Sequence, residues 1–174
     1  YRTVEITPAI GQIDIFQKTG QKKLPVLFDN ETIIHDSSLI IRHLEKIEIK
    51  PKLIPEVIKE ASQAQIIENW ADTTLAKSIK IVFLEELTKN PKLISTLFSI
   101  EISDTMQKKV FNIPKKIASQ LSALINQKDK EYLKFNLEYL SNLIDKKNFI
   151  IGEKLSIADI AVASHLSLLK FPKS

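Results

Sequence analysis

Polar and β-branched residues alternate over Arg2-Thr3-Val4-Glu5-Ile6, the period-two rhythm of a half-buried strand, and Thr7-Pro8 ends the pattern. Ile10, Ile13 and Phe16 then recur every three residues, which predicts a brief helix before the connection Thr19-Gly20-Gln21-Lys22-Lys23. Leu24-Pro25-Val26-Leu27 reads as a second strand with a proline inside it, Asp29-Asn30-Glu31 as a tight connection, and the residues from Thr32 as a third short strand. A helix follows as far as Lys46, its entry marked by Asp36 and Ser37, residue types whose side-chain oxygens accept from the free amides of a helix start. A proline cannot donate to a sheet ladder, so Pro25 argues for an edge, a bulge or a break in pairing. The backbone beside it is left open to another partner.

The pattern changes after Lys46. Pro51 and Pro55 flank an alternating-charge stretch, and we place a linker over residues 47–55 between a domain of residues 1–46 and a helical domain of residues 56–174. From Glu56 to Leu87 the apolar positions Val57, Ala61, Ala64, Ile67, Ala71, Leu75, Ile79, Val82 and Leu87 recur mostly at three or four residues, as one amphipathic helix requires. Asn90-Pro91 closes it. A second helix is predicted over Ile113 to Asn126, opened by Pro114 and carrying Ile117, Leu121, Leu124 and Ile125. A third carries Leu133, Leu137, Leu140 and Ile144 and ends in Lys146-Lys147-Asn148, a basic turn suited to the negative end of a helix dipole.

The last helix has the most explicit start. Ser156-Ile157-Ala158-Asp159 has the form of a capping box, in which serine and acid satisfy each other's backbone amides, with Leu155 and Ile160 spaced as its hydrophobic staple. Beyond it Ile160, Ala161, Val162, Ala163, Leu166, Leu168 and Leu169 make a segment apolar on nearly every side, which predicts a position inside a bundle. Asp159 is therefore read as structural.

Composition narrows the chemistry. The 174 residues include no cysteine, which excludes disulfides, thiolate metal sites and a cysteine nucleophile from these residues and is compatible with a cytoplasmic setting. The net charge of +4 comes from lysines scattered among acids, a solvated surface and not the concentrated patch that nucleic acid requires. No apolar run approaches the roughly 20 residues of a membrane span. The chain starts at tyrosine and stops just after an apolar helix, so we expect a segment cut at both ends.

Two separate segments, Leu24 to Leu44 and Phe149 to Leu169, carry a resemblance to the glutathione S-transferase family. The resemblance implies a thioredoxin-like N-terminal domain, here partial, packed on an all-helical C-terminal domain. In it Leu24-Pro25-Val26-Leu27 corresponds to the cis-proline loop, Asp36-Ser37 to the acid-serine turn before a helix, and Phe149 to Asp159 to the capping motif of the helical domain. A cis bond before proline costs only about 0.5–1 kcal/mol, so Pro25 is where such a loop is accessible. The implied ligand is glutathione, with the backbone of Leu24 beside Pro25 pairing with its cysteinyl part, Ser37 holding the γ-glutamyl carboxylate and Asp36 the neighbouring ammonium. The family more often has Glu or Gln at the position of Asp36. The resemblance further implies conjugation of the glutathione thiolate to an apolar electrophile, a cytoplasmic detoxification role and a homodimer, with no metal, membrane or nucleic acid. The family's thiol-activating Ser, Tyr or Cys falls before Tyr1, so the catalytic residue is unknown. A cysteine there would instead mean a thiol or dehydroascorbate reductase, and neither a hydroxyl nor a thiol would mean a non-catalytic interaction module on the same fold.

Other candidates are assigned plainer roles. Lys22 and Lys23 could meet the glycine carboxylate but read as solvated. His35, His43 and His165 have no acidic or histidine neighbour at ligand spacing, and His43 is read as packed on its helix. Trp70, the single tryptophan, could line an apolar second-substrate pocket and is read as a packing residue of the long helix.

Overall fold

The computed structural model describes residues 2–6, 10–21, 23–47, 50–89 and 127–170. The chain divides into two compact units, Tyr1–Ile54 and Pro55–Ser174. The predicted helix from Ile113 to Asn126, the closing Asn90-Pro91 and Lys22 lie outside the described residues.

The first unit contains α1 (Ile10–Thr19), β1 (Val26–Asp29), β2 (Thr32–His35) and α2 (Ser37–Lys46). β1 and β2 form an antiparallel pair in the register Val26 to His35, Leu27 to Ile34, Phe28 to Ile33 and Asp29 to Thr32. Asn30 makes the turn at φ 52°, a left-handed conformation that asparagine tolerates better than most residues. Because side chains alternate across a strand, Leu27 and Ile34 share one face and are half-buried, while Phe28 and Ile33 share the other and are exposed by 49% and 44%. Helix α2 packs on both strands.

Three expectations for this unit change. Residues 2–6 are not a strand: no described strand pairs with them, and alternation forecasts a face without supplying a ladder. Pro25 precedes β1 instead of lying inside it, since the first paired residue is Val26. In α1 Ile15 is buried, whereas Ile13 and Phe16 of the predicted stripe are 61% and 47% exposed.

The second unit begins with one continuous helical run: α3 (Ile58–Trp70), a π-helical turn (Ala71–Leu75) and α4 (Ala76–Lys89). The wide turn corrects the expectation of a uniform helix, and its cause is visible in the spacing. Ile67, Ala71, Leu75 and Ile79, all at most 7% exposed, follow one another at four residues. In an α-helix each four-residue step overshoots a full turn by about 40°, so three such steps would carry the stripe about a third of the way round. The π turn, in which the Ala76 N–H donates to the carbonyl of Ala71, absorbs the surplus residue and keeps the stripe on the core.

Helix α5 (Gln127–Ile144) returns along α4. Leu133 and Leu140 are buried, and the buried Asn136 donates through Nδ2 to Ser78 Oγ at 3.0 Å, a polar pin between the two helices. Helix α6 (Ile157–Leu166) packs against α3 and the π turn, then tightens into a 3₁₀ turn over Ser167–Leu169. It is buried along Ile157, Ala158 and Val162 alone; Ile160 is 38% exposed and Ala163 is exposed, so the expectation of a helix enclosed on nearly every side is corrected to one buried face. Uniformly apolar sequence has no period, so it does not say which side is covered.

The predicted capping box forms at the start of α6. The Asp159 carboxylate accepts the Ser156 N–H at 2.9 Å and the Ser156 hydroxyl at 2.8 Å on Oδ2, and reaches across to the Ile150 N–H at 2.8 Å on Oδ1. One acid thus ties the preceding loop to the helix start. In that loop Gly152 sits at φ 63°, a backbone conformation that favours glycine, and an added Cβ would also meet the Glu60 carboxylate at 3.0 Å. Replacing Asp159 by alanine strands the amides of Ile150 and Ser156, whose residues are 4% and 1% exposed. We expect Asp159→Ala to cost about 3 kcal/mol and to lower the thermal midpoint followed by circular dichroism by several degrees. A superimposable melting curve would contradict this assignment.

Candidate functional site

The register of the β1–β2 hairpin assembles the site. Val26 and His35 are the last pair at the open end, so Leu24-Pro25 enters the hairpin and Asp36-Ser37 leaves it at that same end. Adjacent strands lie about 4.8 Å apart. All four predicted ligand-binding residues, Leu24, Pro25, Asp36 and Ser37, are exposed there. The Leu24–Pro25 peptide is cis. Leu24 lies outside the ladder, and its N–H and C=O have no partner among the described residues. Lys23 is exposed, and its carbonyl accepts from Gln21 Nε2 at 3.1 Å.

Asp36 is the N-cap of α2, and its Oδ1 accepts from the amides of Ser38 at 3.0 Å and Leu39 at 3.3 Å. Its backbone sits at φ 80°, ψ 125°, outside the regions open to residues with a Cβ. Conformations of this kind cost of order 1–3 kcal/mol and gather at ligand sites. The consequence is local: with Asp36 turned this way, Ser37 becomes the first residue of α2 and presents an N–H and an Oγ with no partner among the described residues. Both stand at the positive end of the helix, where a carboxylate is favoured. Asp36 Oδ2 also has no partner among the described residues, so an acceptor stands beside the two donors. The end of the hairpin therefore offers backbone edge groups, a helix start whose dipole favours an anion and, among the described residues, one unpartnered carboxylate oxygen.

Two interactions missed in the sequence hold this arrangement. His43 Nε2 and Asp29 Oδ2 lie 2.7 Å apart, joining α2 to the far end of β1. Glu45 Oε1 accepts the amides of Leu53 at 2.6 Å and Ile54 at 2.8 Å, although an acid in the last turn of a helix opposes the dipole; the two charge-assisted bonds explain its presence. His165 likewise meets Asp72 of the π turn at 2.8 Å. His43 and His165 thus have acidic partners 14 and 93 residues away in sequence, far outside the ligand spacing considered for them above. Spacing arguments cannot see such pairs. Among the described residues no three His, Asp or Glu groups converge on a possible metal position. Trp70 meets Tyr139 edge to face with ring centroids 5.4 Å apart, which gives it a packing contact inside the helical unit.

A small α/β unit built on a hairpin, followed by an all-helical unit, is the two-part architecture of the glutathione S-transferases. Comparison with known proteins agrees along most of the chain: residues 1–52 match the family model for the glutathione S-transferase N-terminal domain, and residues 105–174 that for its C-terminal domain. The chain belongs to the glutathione S-transferase family. It is similar to FtsZ-localized protein A of Caulobacter vibrioides (strain NA1000 / CB15N), with 24% identity over 151 residues, covering 84% of this chain and 56% of that protein. The crystal structure of a glutathione S-transferase from Rhodospirillum rubrum F11 shares the fold at a TM-score of 0.58 and 20% identity, over 90% of this chain and 60% of that one. The chain thus spans less than two thirds of either relative.

The cap and the strained backbone at Asp36 separate two substitutions. Asp36→Asn keeps a side-chain acceptor and a residue type tolerant of positive φ, and is expected to stay within about 0.5 kcal/mol of the parent. Asp36→Ala loses both cap bonds and should cost about 1–2 kcal/mol, read as faster hydrogen exchange of the α2 amides. Equal exchange in the two variants would contradict the cap.

Proposed function

We propose that this chain binds glutathione at the open end of the hairpin and belongs to a protein that conjugates the glutathione thiolate to an apolar electrophile. The observation that carries the reading is the shared end: the Leu24 backbone and the Ser37 donors, without partners among the described residues, flank one hairpin pair, Val26 and His35. Glutathione is a peptide with a zwitterionic head, and each part has a counterpart. The Ser37 N–H and hydroxyl donate to the γ-glutamyl carboxylate at the α2 dipole. Asp36 Oδ2 accepts from the adjacent ammonium, compensating the negative charge that Asp36 brings to an anion site. The Leu24 N–H and C=O pair with the cysteinyl backbone as an added strand.

Conjugation also requires the thiolate, and a thiol with pKa about 8.5 is little ionised at neutral pH until a donor or positive field stabilises the anion. No residue of this chain is assigned that role, and the reactive group of the whole protein is a separate question from the binding end described above. The second reading is a non-catalytic interaction module on the same fold, favoured by one observation: the curated relative is named for its localisation with FtsZ and not for a reaction.

Calorimetric titration of reduced glutathione tests the leading reading. We expect saturable binding, weakened by about 1–3 kcal/mol, or roughly 5- to 150-fold, in Ser37→Ala, with an unchanged melting curve. Absence of heat up to millimolar ligand, or equal affinity in the variant, would contradict it and bring the interaction module forward.

A further inference from the structure

The three histidines of the chain differ in what they meet. His43 stands 2.7 Å from Asp29 and His165 2.8 Å from Asp72, so each of these imidazoles has a carboxylate beside it. His35 is exposed and has no hydrogen-bond or ion-pair partner among the described residues. It is also the last residue of β2, opposite Val26 at the open end of the hairpin. Side chains alternate along a strand, so Val26 and His35 stand on the same face as Phe28 and Ile33. An unengaged imidazole thus closes an otherwise apolar face at the end where Leu24 and Ser37 lie.

We propose that His35 takes the proton from the thiol of glutathione bound at this end. The inference rests on the glutathione reading and adds a destination for the proton, which a hydroxyl donor that stabilises the thiolate does not supply. Leu24 lies two residues before Val26 and Ser37 two residues after His35, so a ligand anchored to both crosses this pair and carries its cysteinyl residue past it. The charged groups at this end leave no other base. Asp36 already accepts two amides on Oδ1, and a carboxylate is too weak a base to hold a thiol proton at neutral pH. Lys23, on the segment entering β1, is a cation without an acceptor, and Val26 brings no charge. A neutral imidazole accepts one proton in this range of pH. The step balances within the pair: the S–H bond breaks, an N–H bond forms on the imidazole ring, and the thiolate keeps the electron pair that attacks the electrophile. The thiolate then faces an imidazolium, a pairing that holds cysteine thiols well below their ordinary range. Being exposed, His35 returns the proton to water.

The chain has no cysteine, so the thiolate absorbance of bound glutathione is read without a protein background of the same kind. With reduced glutathione saturating the chain, we expect about tenfold more thiolate at roughly pH 6.5 than free glutathione gives, and His35→Gln should return the curve to that of the free ligand. The same variant should keep the calorimetric affinity within about twofold of the parent and leave the circular dichroism spectrum unchanged. Lys23→Gln, which removes a cation but no base, should keep the parent's thiolate curve. Saturable heat with equal thiolate curves in the parent and His35→Gln, or the same loss in Lys23→Gln, overturns the proposal and leaves the binding reading intact. Absence of heat in the parent overturns the glutathione reading and this step together.

Discussion

The register of one antiparallel pair governs what the first unit can do. With Val26 opposite His35, the chain enters the hairpin through Leu24-Pro25 and leaves it through Asp36-Ser37 at one end. A slip of one residue would move one of these pairs away from the other and turn Leu27 and Ile34 from their shared half-buried face. Everything else in the unit serves this placement. The Asp36 turn at positive φ starts α2 at once and leaves the Ser37 donors without a partner among the described residues. The contact of His43 with Asp29 holds the helix along β1, and Glu45 in the same last turn of α2 fixes the amides of Leu53 and Ile54. The last turn of the helix is tied down by both contacts, while its first turn is capped by Asp36.

The helical unit solves a different problem, that of keeping a buried stripe in line over a long helical run. The π turn at Ala71–Leu75 does so by absorbing the residue that strict four-residue spacing adds. It also sets Asp72 against His165 on α6. Asp159 completes the unit from the opposite direction by gathering the Ile150 and Ser156 amides. In both units a carboxylate satisfies backbone amides at a helix start, and the two cases differ in what remains. Asp159 takes three donors, while Asp36 leaves Ser37 and its own Oδ2 available.

The parts legible in the sequence are those whose causes are local. The capping box needs only Ser156 and Asp159 in the right order, and the hairpin with its following helix needs only a turn between two short apolar runs and an acid-serine pair. The position of all four candidate ligand residues at one end follows from the same short segment. What was missed depends on partners distant in the chain. Arg2–Ile6 alternates correctly and still forms no strand, because a strand exists through its neighbour. Ile15 is buried in α1 in place of Ile13 and Phe16, since a three-residue stripe over ten residues fits more than one face. The pairs His43 with Asp29, His165 with Asp72, and Glu45 with Leu53 and Ile54 join residues brought together by folding. The π turn stands between these cases: its signal, four-residue spacing repeated from Ile67 to Ile79, was present and was read as an ordinary helix.

The central claim is that the two strand ends of the hairpin form one ligand-binding surface, and amide chemical-shift mapping of the isotope-labelled chain on addition of reduced glutathione examines it residue by residue. The account predicts the largest perturbations at Leu24, Ser37 and Ser38, saturating together along one binding curve. Perturbations confined to one side of the hairpin, two different curves for Leu24 and Ser37, or changes gathered on the helices of the second unit would contradict it.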